Sequence, residues 1–241
     1  MEIYDGHLHL AEAGRLAAWR AAGVRGMCVA SARPAEWDGV LALKGVAAAL
    51  GIHPWHAQEG TEAALARLSQ LLAAHPTCCV GEIGLDYAAR DADRARQWRL
   101  FAAQVEMAGA ARPLVLHLRQ CGGEIGRLRE LLAGRVFVLH GFSGSLESAR
   151  AWLALPGAHI SFGAALLHPR ARRAVEAARE VPSGRLLVES DWPGRLTPPE
   201  CARVVSRLAE VRGEEPEAVA AAAARNWRRL FDGRTGDGRD A

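Results

Sequence analysis

Hydrophobic residues follow two alternating patterns along the chain. Short, nearly continuous apolar runs such as "RVFVLH" (135–140) are typical of strands that are buried on both faces, as in a parallel sheet. Longer stretches in which apolar residues recur every three to four positions, such as 61–75 and 97–111, are typical of amphipathic helices. The predicted strands cover residues 2–8, 24–30, 45–52, 78–85, 113–118, 135–140, 158–163 and 185–190.

Eight alternations of this kind predict an α/β fold, a (β/α)8 TIM-type barrel. The connection between the second and third strands, "SARPAEWDGVLALK", leaves room for only a short helix. No linker rich in proline, glycine and serine interrupts the pattern before the end of the chain. We therefore predict a single barrel domain over residues 1–231. Residues 232–241 contain no apolar side chain larger than alanine, which predicts a flexible tail.

Composition narrows the class of protein. Hydrophobic residues make up 50% of the chain, yet no apolar run reaches the roughly 18 residues that a membrane span needs. The five cysteines lack the C-x-x-C spacing of a structural zinc site, and their odd number disfavours a disulfide framework. The net charge of +3 does not indicate a broad nucleic-acid-binding face. Since the chain also begins without a signal-peptide pattern, we expect a cytoplasmic location and no membrane partner.

Polar side chains interrupt the apolar pattern at the carboxyl ends of the predicted strands. The first strand contains "DGHLH", in which His7 and His9 share a face because strand residues two apart point the same way, with Asp5 one pleat behind. Two imidazoles placed together are better satisfied by a shared cation than by each other. Further polar residues follow other strands at the same end: Glu82, His117, His140 and Asp191.

This end of a barrel is where barrel enzymes place their chemistry. Four imidazoles and two carboxylates there predict a site for two divalent cations, with one carboxylate bridging metals roughly 3.5–4 Å apart. Ligands without thiolate suit Mg²⁺, Mn²⁺ or Zn²⁺. We expect His53 to contact substrate, with a structural hydrogen bond as the alternative, and Arg119 to bind a phosphate. We expect the remaining histidines at the surface or in loops: His56, His75, His159 and His168.

The same residues carry a resemblance to a known family. The stretches "DGHLHL", "GIHPWH", "GEIGLDY", "PLVLHLR", "HGFSGS", "LLVESDWP" and "NWRRLF" occur in this order between residues 5 and 231. Together they resemble the TatD-like metal-dependent deoxyribonucleases, within the wider amidohydrolase-type barrels. The resemblance implies a first metal bound by His7, His9 and Asp191, and a second bound by His117 and His140. It also implies that Glu82 bridges the two metals.

The resemblance further implies hydrolysis of DNA phosphodiester bonds by water. Two cations would lower the pKa of a bridging water and polarise the phosphoryl oxygen, and Asp191 would take the proton of the water as general base. Related barrels often bridge their metals with a carboxylated lysine. The only lysine here, Lys44, precedes the third strand, so we expect Glu82 to carry the bridge. The expected substrate is DNA, as a single strand or at strand ends, and no obligate protein partner is indicated.

Departures from the family pattern leave the substrate open. Gly141 stands where the family usually has cysteine, and Trp192 stands where a small residue is common. Trp192 fits a core aromatic or a base-stacking residue equally well. Two other functions remain: a hydrolase of small esters, amides or lactones, because the same water activation serves a carbonyl group, and a non-catalytic binding barrel. The products distinguish the two hydrolases.

Overall fold

The computed structural model describes residues 1–9, 12–88 and 90–234. Its eight strands pair in parallel and in sequence order, and β1 lies against β8, so the sheet nearly closes on itself. The predicted (β/α)8 barrel is confirmed. The strands are β1 Ile3–His9, β2 Val24–Ala30, β3 Ala47–Leu50, β4 Cys79–Asp86, β5 Leu114–Arg119, β6 Phe137–Leu139, β7 Ala158–Phe162 and β8 Leu186–Val188.

The helices alternate with the strands, and capping side chains set several of their starts. Thr61, Asp93 and Ser145 each accept a hydrogen bond from the backbone N–H three residues later, which satisfies a free donor of the first turn. The helices are α1 Ala13–Ala21, α2 Trp37–Ala42, α3 Glu62–Ala74, α4 Arg94–Ala108, α5 Ile125–Leu131, α6 Leu146–Leu153, α7 Arg172–Glu180, α8 Cys201–Arg212 and α9 Pro216–Phe231. The short helix expected between the second and third strands is α2, which has six residues.

Alternate residues of the strands enter two apolar clusters. On β2, Met27 and Val29 join the large cluster between the sheet and the helices, whereas Cys28 and Ala30 face the barrel interior. The interior cluster is completed by residues of α9, which packs under the first residues of the strands and closes the amino end of the barrel. The large side chains of this interior cluster are Tyr4, Trp227, Leu230 and Phe231.

Two strands each contain a segment with one residue more than the matching segment of the strand beside it. The ladder of β1 with β2 shifts within residues 5–8, and the ladder of β4 with β5 shifts within residues 80–83. An extra residue of this kind turns a side chain to a direction that regular pairing would not give it. His7 and Glu82 lie in these two segments, so the irregular pairing positions two of the predicted site residues.

Two further findings concern membrane crossing and the carboxyl end of the chain. No helix among the described residues is both long enough and apolar enough to cross a membrane. Most of the predicted tail, residues 235–241, lies outside the described residues. The described part ends at Arg234, whose guanidinium donates to the carbonyl oxygens of Thr77 and Ala111.

Candidate metal centre

Glu82 is the centre of the polar cluster at the carboxyl end of the barrel. Its side chain is fully buried. Its Oε2 atom lies 3.2 Å from His7 Nε2 and 3.3 Å from His9 Nε2. Its Oε1 atom lies 2.7 Å from His140 Nε2 and 2.9 Å from His117 Nδ1. The two carboxylate oxygens therefore face two different pairs of histidines, as a carboxylate between two cations would.

Asp191 extends the side of the cluster that contains His7. Its Oδ1 atom lies 3.5 Å from His7 Nε2 and 3.8 Å from His9 Nε2. Asp191 adopts a φ of 54°, a left-handed conformation that aspartate tolerates better than most residues. Its backbone N–H donates to the carbonyl oxygen of His7, which holds the loop after β8 against β1. Its side chain is 48% exposed, so Asp191 presents a carboxylate to solvent where Glu82 does not.

The donor set fits a cation. Several buried polar atoms of these residues lack a hydrogen-bond partner among the described residues. Leaving such an atom unpaired costs about 1–3 kcal/mol, and a bound cation would remove that cost. The atoms are both ring nitrogens of His7, Nδ1 of His9, Oε2 of Glu82 and Nδ1 of His140.

Three sets of ligand atoms lie within 4.8 Å of one another and could each hold a metal ion. Each set combines imidazole with carboxylate, and neighbouring sets share Glu82 or His7. All six predicted metal ligands occur in these sets, so the structure brings them together. The sets are His7, His9 and Glu82; His7, His140 and Asp191; and His53, Glu82 and His117.

The charges of the cluster also favour a cation. Burial by itself would raise the pKa of Glu82, but His140, His53 and His7 hold that pKa well below its usual value. Burial lowers the pKa of His9 to about 4, so this imidazole stays neutral and keeps a lone pair at neutral pH. A buried carboxylate that remains ionised needs positive charge beside it; protonated imidazoles supply that charge here, and a bound divalent cation would supply it in their place.

Comparison with known proteins identifies the family. A family model described as "TatD related DNase" matches residues 4–232. The chain belongs to this family. A similar protein, "Uncharacterized metal-dependent hydrolase YjjV" of Escherichia coli strain K12, is 33% identical over 228 residues, which cover 88% of each chain. The "3'-5' ssDNA/RNA exonuclease TatD" of Erwinia billingiae is 33% identical over 203 residues, covering 75% of this chain and 76% of that one.

A solved structure agrees with this assignment. The crystal structure of the TatD homologue YjjV from Escherichia coli K12 matches with a TM-score of 0.87 at 30% identity, covering 95% of this chain and 98% of that chain. The resemblance seen in the sequence motifs is thereby confirmed. The protein is a metal-dependent hydrolase of the TatD family.

His53 lies deeper in this TatD-family site than an exposed substrate contact would. It is 3% exposed, and its Nε2 atom lies 3.3 Å from Glu82 Oε1. Its Nδ1 atom accepts a hydrogen bond from the backbone N–H of Trp55. His53 is thus as well placed to bind a metal as to contact substrate, and its role in substrate binding stays a prediction.

Arg119 lies at the edge of a cavity that opens onto the candidate metal centre. The cavity has a volume of about 610 Å³, and its lining includes His117, His140 and Asp191. The Arg119 side chain is 59% exposed, and its Nη1 atom is 3.9 Å from Asp86 Oδ2. The guanidinium is exposed enough to reach a ligand in the cavity, and its contact with a phosphate stays a prediction.

Two carboxylates that sequence reasoning missed lie beside the outer nitrogens of the candidate ligands. Asp86 Oδ2 lies 3.1 Å from His117 Nε2, and Glu189 Oε1 lies 3.4 Å from His140 Nδ1. A carboxylate on the second ring nitrogen fixes the orientation and tautomer of a metal-binding histidine. The only signal in the sequence is proximity, since Asp86 follows Glu82 by four residues and Glu189 precedes Asp191 by two.

Trp55 is a further feature of the site that sequence reasoning did not single out. Its ring is held in place, because Nε1 donates to Asp86 Oδ2 over 2.8 Å and the ring packs edge-on against His53. The residue is nevertheless 64% exposed. The Trp55 indole is therefore both fixed in orientation and exposed to solvent beside the candidate metal centre.

Asp5 does not lie one pleat behind His7 on the same face. Its carboxylate accepts hydrogen bonds from the backbone and the hydroxyl of Ser190, at 3.0 and 2.5 Å, and from the backbone of His7. The extra residue within 5–8 turns Asp5 away from the histidines. Asp5 therefore ties β1 to the segment after β8.

The structure also changes the interpretation of two other residues. His159 is buried in β7, so the expectation of a surface or loop position is wrong. Its Nε2 atom lies 2.9 Å from an Arg229 nitrogen, a partner that satisfies the ring inside the barrel. Trp192 packs edge-on against Trp19 at 5.7 Å, and Arg15 covers its ring, which favours the core role over base stacking.

Proposed function

We propose that this TatD-family hydrolase cleaves phosphodiester bonds of single-stranded DNA, or of DNA strand ends, with two divalent cations. The observation that carries the proposal is Glu82, whose two oxygens face different pairs of histidines. A phosphodiester is a substrate class suited to paired cations, because both the attacking and the leaving oxygen gain negative charge. The relative named as an exonuclease of single-stranded DNA and RNA supports the same substrate.

The side chains divide the work between holding cations and moving a proton. We assign His7, His9 and Asp191 to one cation, and His117 and His140 to the other, with Glu82 between them. Mg²⁺, Mn²⁺ and Zn²⁺ all suit this donor set. When bound, the cations would lower the pKa of a water molecule, so that it loses a proton at neutral pH and can attack as hydroxide. Asp191 is half-exposed at the cavity, so it is placed to accept the proton that this water loses.

Arg119 and His53 would contact the phosphate backbone. The exposed Arg119 guanidinium can donate two parallel hydrogen bonds to one phosphate. Because the net charge is only +3, affinity has to come from local contacts of this kind. Binding to DNA should therefore weaken with salt in proportion to the number of phosphates that such contacts neutralise. A cytoplasmic location and the lack of an obligate protein partner stay predictions from the sequence.

A second candidate function is hydrolysis of small esters, amides or lactones. The same cavity has apolar walls, including Ile125, Leu139 and Phe142, which would suit an acyl group. The cations and Asp191 would serve a carbonyl carbon as well as a phosphorus atom. Only the substrate then distinguishes the two functions.

Product analysis tests the proposal. The enzyme is stripped of metal, reconstituted with Mg²⁺ or Mn²⁺, and incubated with end-labelled single-stranded DNA, the matching duplex and a panel of small carbonyl substrates. We expect nucleotides from single-stranded DNA, faster than from duplex. The Asp191→Asn variant should lose this activity, which excludes a contaminating nuclease. Intact DNA together with acids released from the carbonyl panel would contradict the proposal and favour the second function.

A further inference from the structure

A second cavity, which is strongly basic, adjoins the cavity that opens onto the metal centre. It has a volume of about 530 Å³ and shares Ser143 and Arg173 with the cavity at the metal centre. Its other charged or titratable lining groups are three arginines and a histidine, and no acidic residue of the described chain lines it. We call this cavity the arginine groove; its arginines are Arg170, Arg172, Arg173 and Arg195, with His168 beside them.

The groove arginines differ from many other surface arginines of this protein in lacking carboxylate partners. Arg67, Arg150 and Arg207 bind Asp38, Glu180 and Glu210 at 2.7, 3.1 and 2.7 Å. Within the described part of the chain, no carboxylate oxygen lies within 4.0 Å of any groove arginine. Four unpaired positive charges along one groove repel each other, and a polyanion would relieve that repulsion.

The amino end of α7 makes the positive charge of the groove still more unfavourable in the protein without a bound anion. Arg172 and Arg173 are the first two residues of α7. The amino end of a helix carries partial positive charge, so cations there cost up to about 1 kcal/mol each at the surface. The helix dipole therefore disfavours arginine at these two positions, whereas binding of an anion would favour it.

The opposite side of the metal centre has the reverse charge. Beyond Trp55 lies a cavity of about 390 Å³ lined by Asp86, Asp91 and Asp93. Among the described residues, one arginine lines this cavity, Arg96, and it is compensated by Asp93 at 3.5 Å. A negatively charged strand is repelled on this side and attracted on the side of the arginine groove. The charges therefore define one direction for a strand to leave the centre.

We propose that the arginine groove binds the sugar–phosphate backbone of the nucleic-acid strand beyond the scissile phosphate. The strand passes Arg173, where the two cavities meet, and continues along Arg170, Arg172 and Arg195. Guanidinium groups suit this task because each can bind a phosphate through two parallel hydrogen bonds. The inference rests on the proposed nuclease function, and it makes the enzyme prefer a strand of several nucleotides over a single diester.

The test uses two variants with the same change in net charge. The groove variant is Arg170→Gln, Arg172→Gln and Arg195→Gln, which leaves Arg173 at the metal-centre cavity untouched. The control variant is Arg99→Gln, Arg129→Gln and Arg225→Gln, three exposed arginines outside both cavities. Each variant lowers the net charge from +3 to 0. Any difference between them therefore reports position and not total charge.

Binding and cleavage are measured separately, so that the two proposals fail in different ways. Fluorescence anisotropy with a labelled 12-nucleotide single strand, in chelator, reports the groove. We expect the groove variant to bind at least about tenfold more weakly than the control variant, and its salt slope to fall by about 0.7 for each phosphate that it no longer binds. Cleavage of bis(p-nitrophenyl) phosphate and of the 12-mer by the metal-loaded enzyme reports the nuclease function. The groove variant should keep wild-type turnover of the small diester and show a higher KM for the 12-mer.

Equal binding of the 12-mer by the groove and control variants would overturn the groove proposal, whatever the cleavage results. Wild-type protein that cleaves neither phosphodiester would overturn the proposed function, while the binding data would still decide the groove. Poly-L-glutamate is included as a competitor. If it displaces the 12-mer as well as unlabelled DNA does, the groove is a general anion surface and the assignment to a nucleic-acid strand is wrong.

Discussion

The two ends of the barrel differ in whether their buried polar atoms have hydrogen-bond partners. At the amino end, α9 inserts Trp227 and Phe231 beneath the strands, and Trp227 Nε1 donates to the carbonyl oxygen of Asp5. At the carboxyl end lie all seven buried side-chain atoms without a hydrogen-bond partner among the described residues. The comparison shows that unpaired groups are concentrated where a cation fits and are not a general feature of the packing.

This difference predicts that mutations at the two ends affect different properties. At the amino end, burial of apolar surface stabilises the fold, so substitutions should change the free energy of unfolding. At the carboxyl end, unpaired groups reduce stability and serve the chemistry, so substitutions should change metal content and rate. Each of the following variants tests this division.

The largest effect is expected at the amino end, with Trp227→Ala. Removing a buried tryptophan should lower the free energy of unfolding by about 3–5 kcal/mol in urea titrations. Metal bound per folded molecule should not change. Trp55→Ala is the matched control, since Trp55 is 64% exposed, and it should cost less than about 1 kcal/mol. Equal decreases of stability in the two variants would contradict the packing role of α9.

A histidine at the amino end gives a pH test of the same comparison. Burial lowers the pKa of His159 to about 4 in the folded protein, against an ordinary value of 6.5. Between pH 6.5 and 4, the unfolded chain therefore binds a proton that the folded protein does not, and stability falls as pH falls. The decrease in stability amounts to at most about 3 kcal/mol. Compared with wild type, His159→Gln should show a flatter stability profile over this range by urea denaturation; parallel profiles would refute the assignment.

Glu82→Gln tests the carboxyl end. The substitution keeps the shape but removes the charge that lets two cations lie close together. We expect loss of at least one metal and a decrease in turnover of about 10²-fold, equivalent to about 2.7 kcal/mol. Glu147→Gln, at an exposed position, is the control. If elemental analysis and rate both stay near wild type, Glu82 has only a structural role.

The smallest effect is expected at the exposed edge of the site. Arg119→Ala should leave metal content unchanged and raise KM for single-stranded DNA by up to about tenfold, because it removes one charge-assisted contact with a phosphate. The salt slope should decrease by roughly 0.7, the value for one phosphate on a single strand. Arg129→Ala serves as the control. Unchanged DNA kinetics in Arg119→Ala would favour the small-molecule hydrolase.

The sequence was sufficient to predict the barrel and the position of six candidate ligands. Apolar periodicity marks the strands, and because the carboxyl ends of parallel strands meet at one end of a barrel, residues such as His7 and His140 had to converge. The orientation of Asp5 could not be predicted, since one extra residue in β1 reverses it. The burial of His159 could not be predicted either, because its partner Arg229 is 70 residues away in sequence.

Asp86 and Glu189 show a different limit of sequence reasoning. Their role depends on which nitrogen of a neighbouring histidine they contact, and that is set by side-chain rotation and not by spacing along the chain. The groove arginines show the same limit on a larger scale. Arginine is common throughout this sequence, and only the fold reveals which arginines lie beside the site without an acidic partner.

Metal content measured together with activity tests the central claim most directly. Protein treated with chelator is analysed by elemental analysis, assayed on single-stranded DNA, and then titrated with Mg²⁺ or Mn²⁺. A cation site built around Glu82 predicts no activity in the metal-free protein and recovery of activity as metal is restored. Recovery should be complete at two metal ions per chain. Full activity in protein that elemental analysis shows to be free of metal would contradict the account.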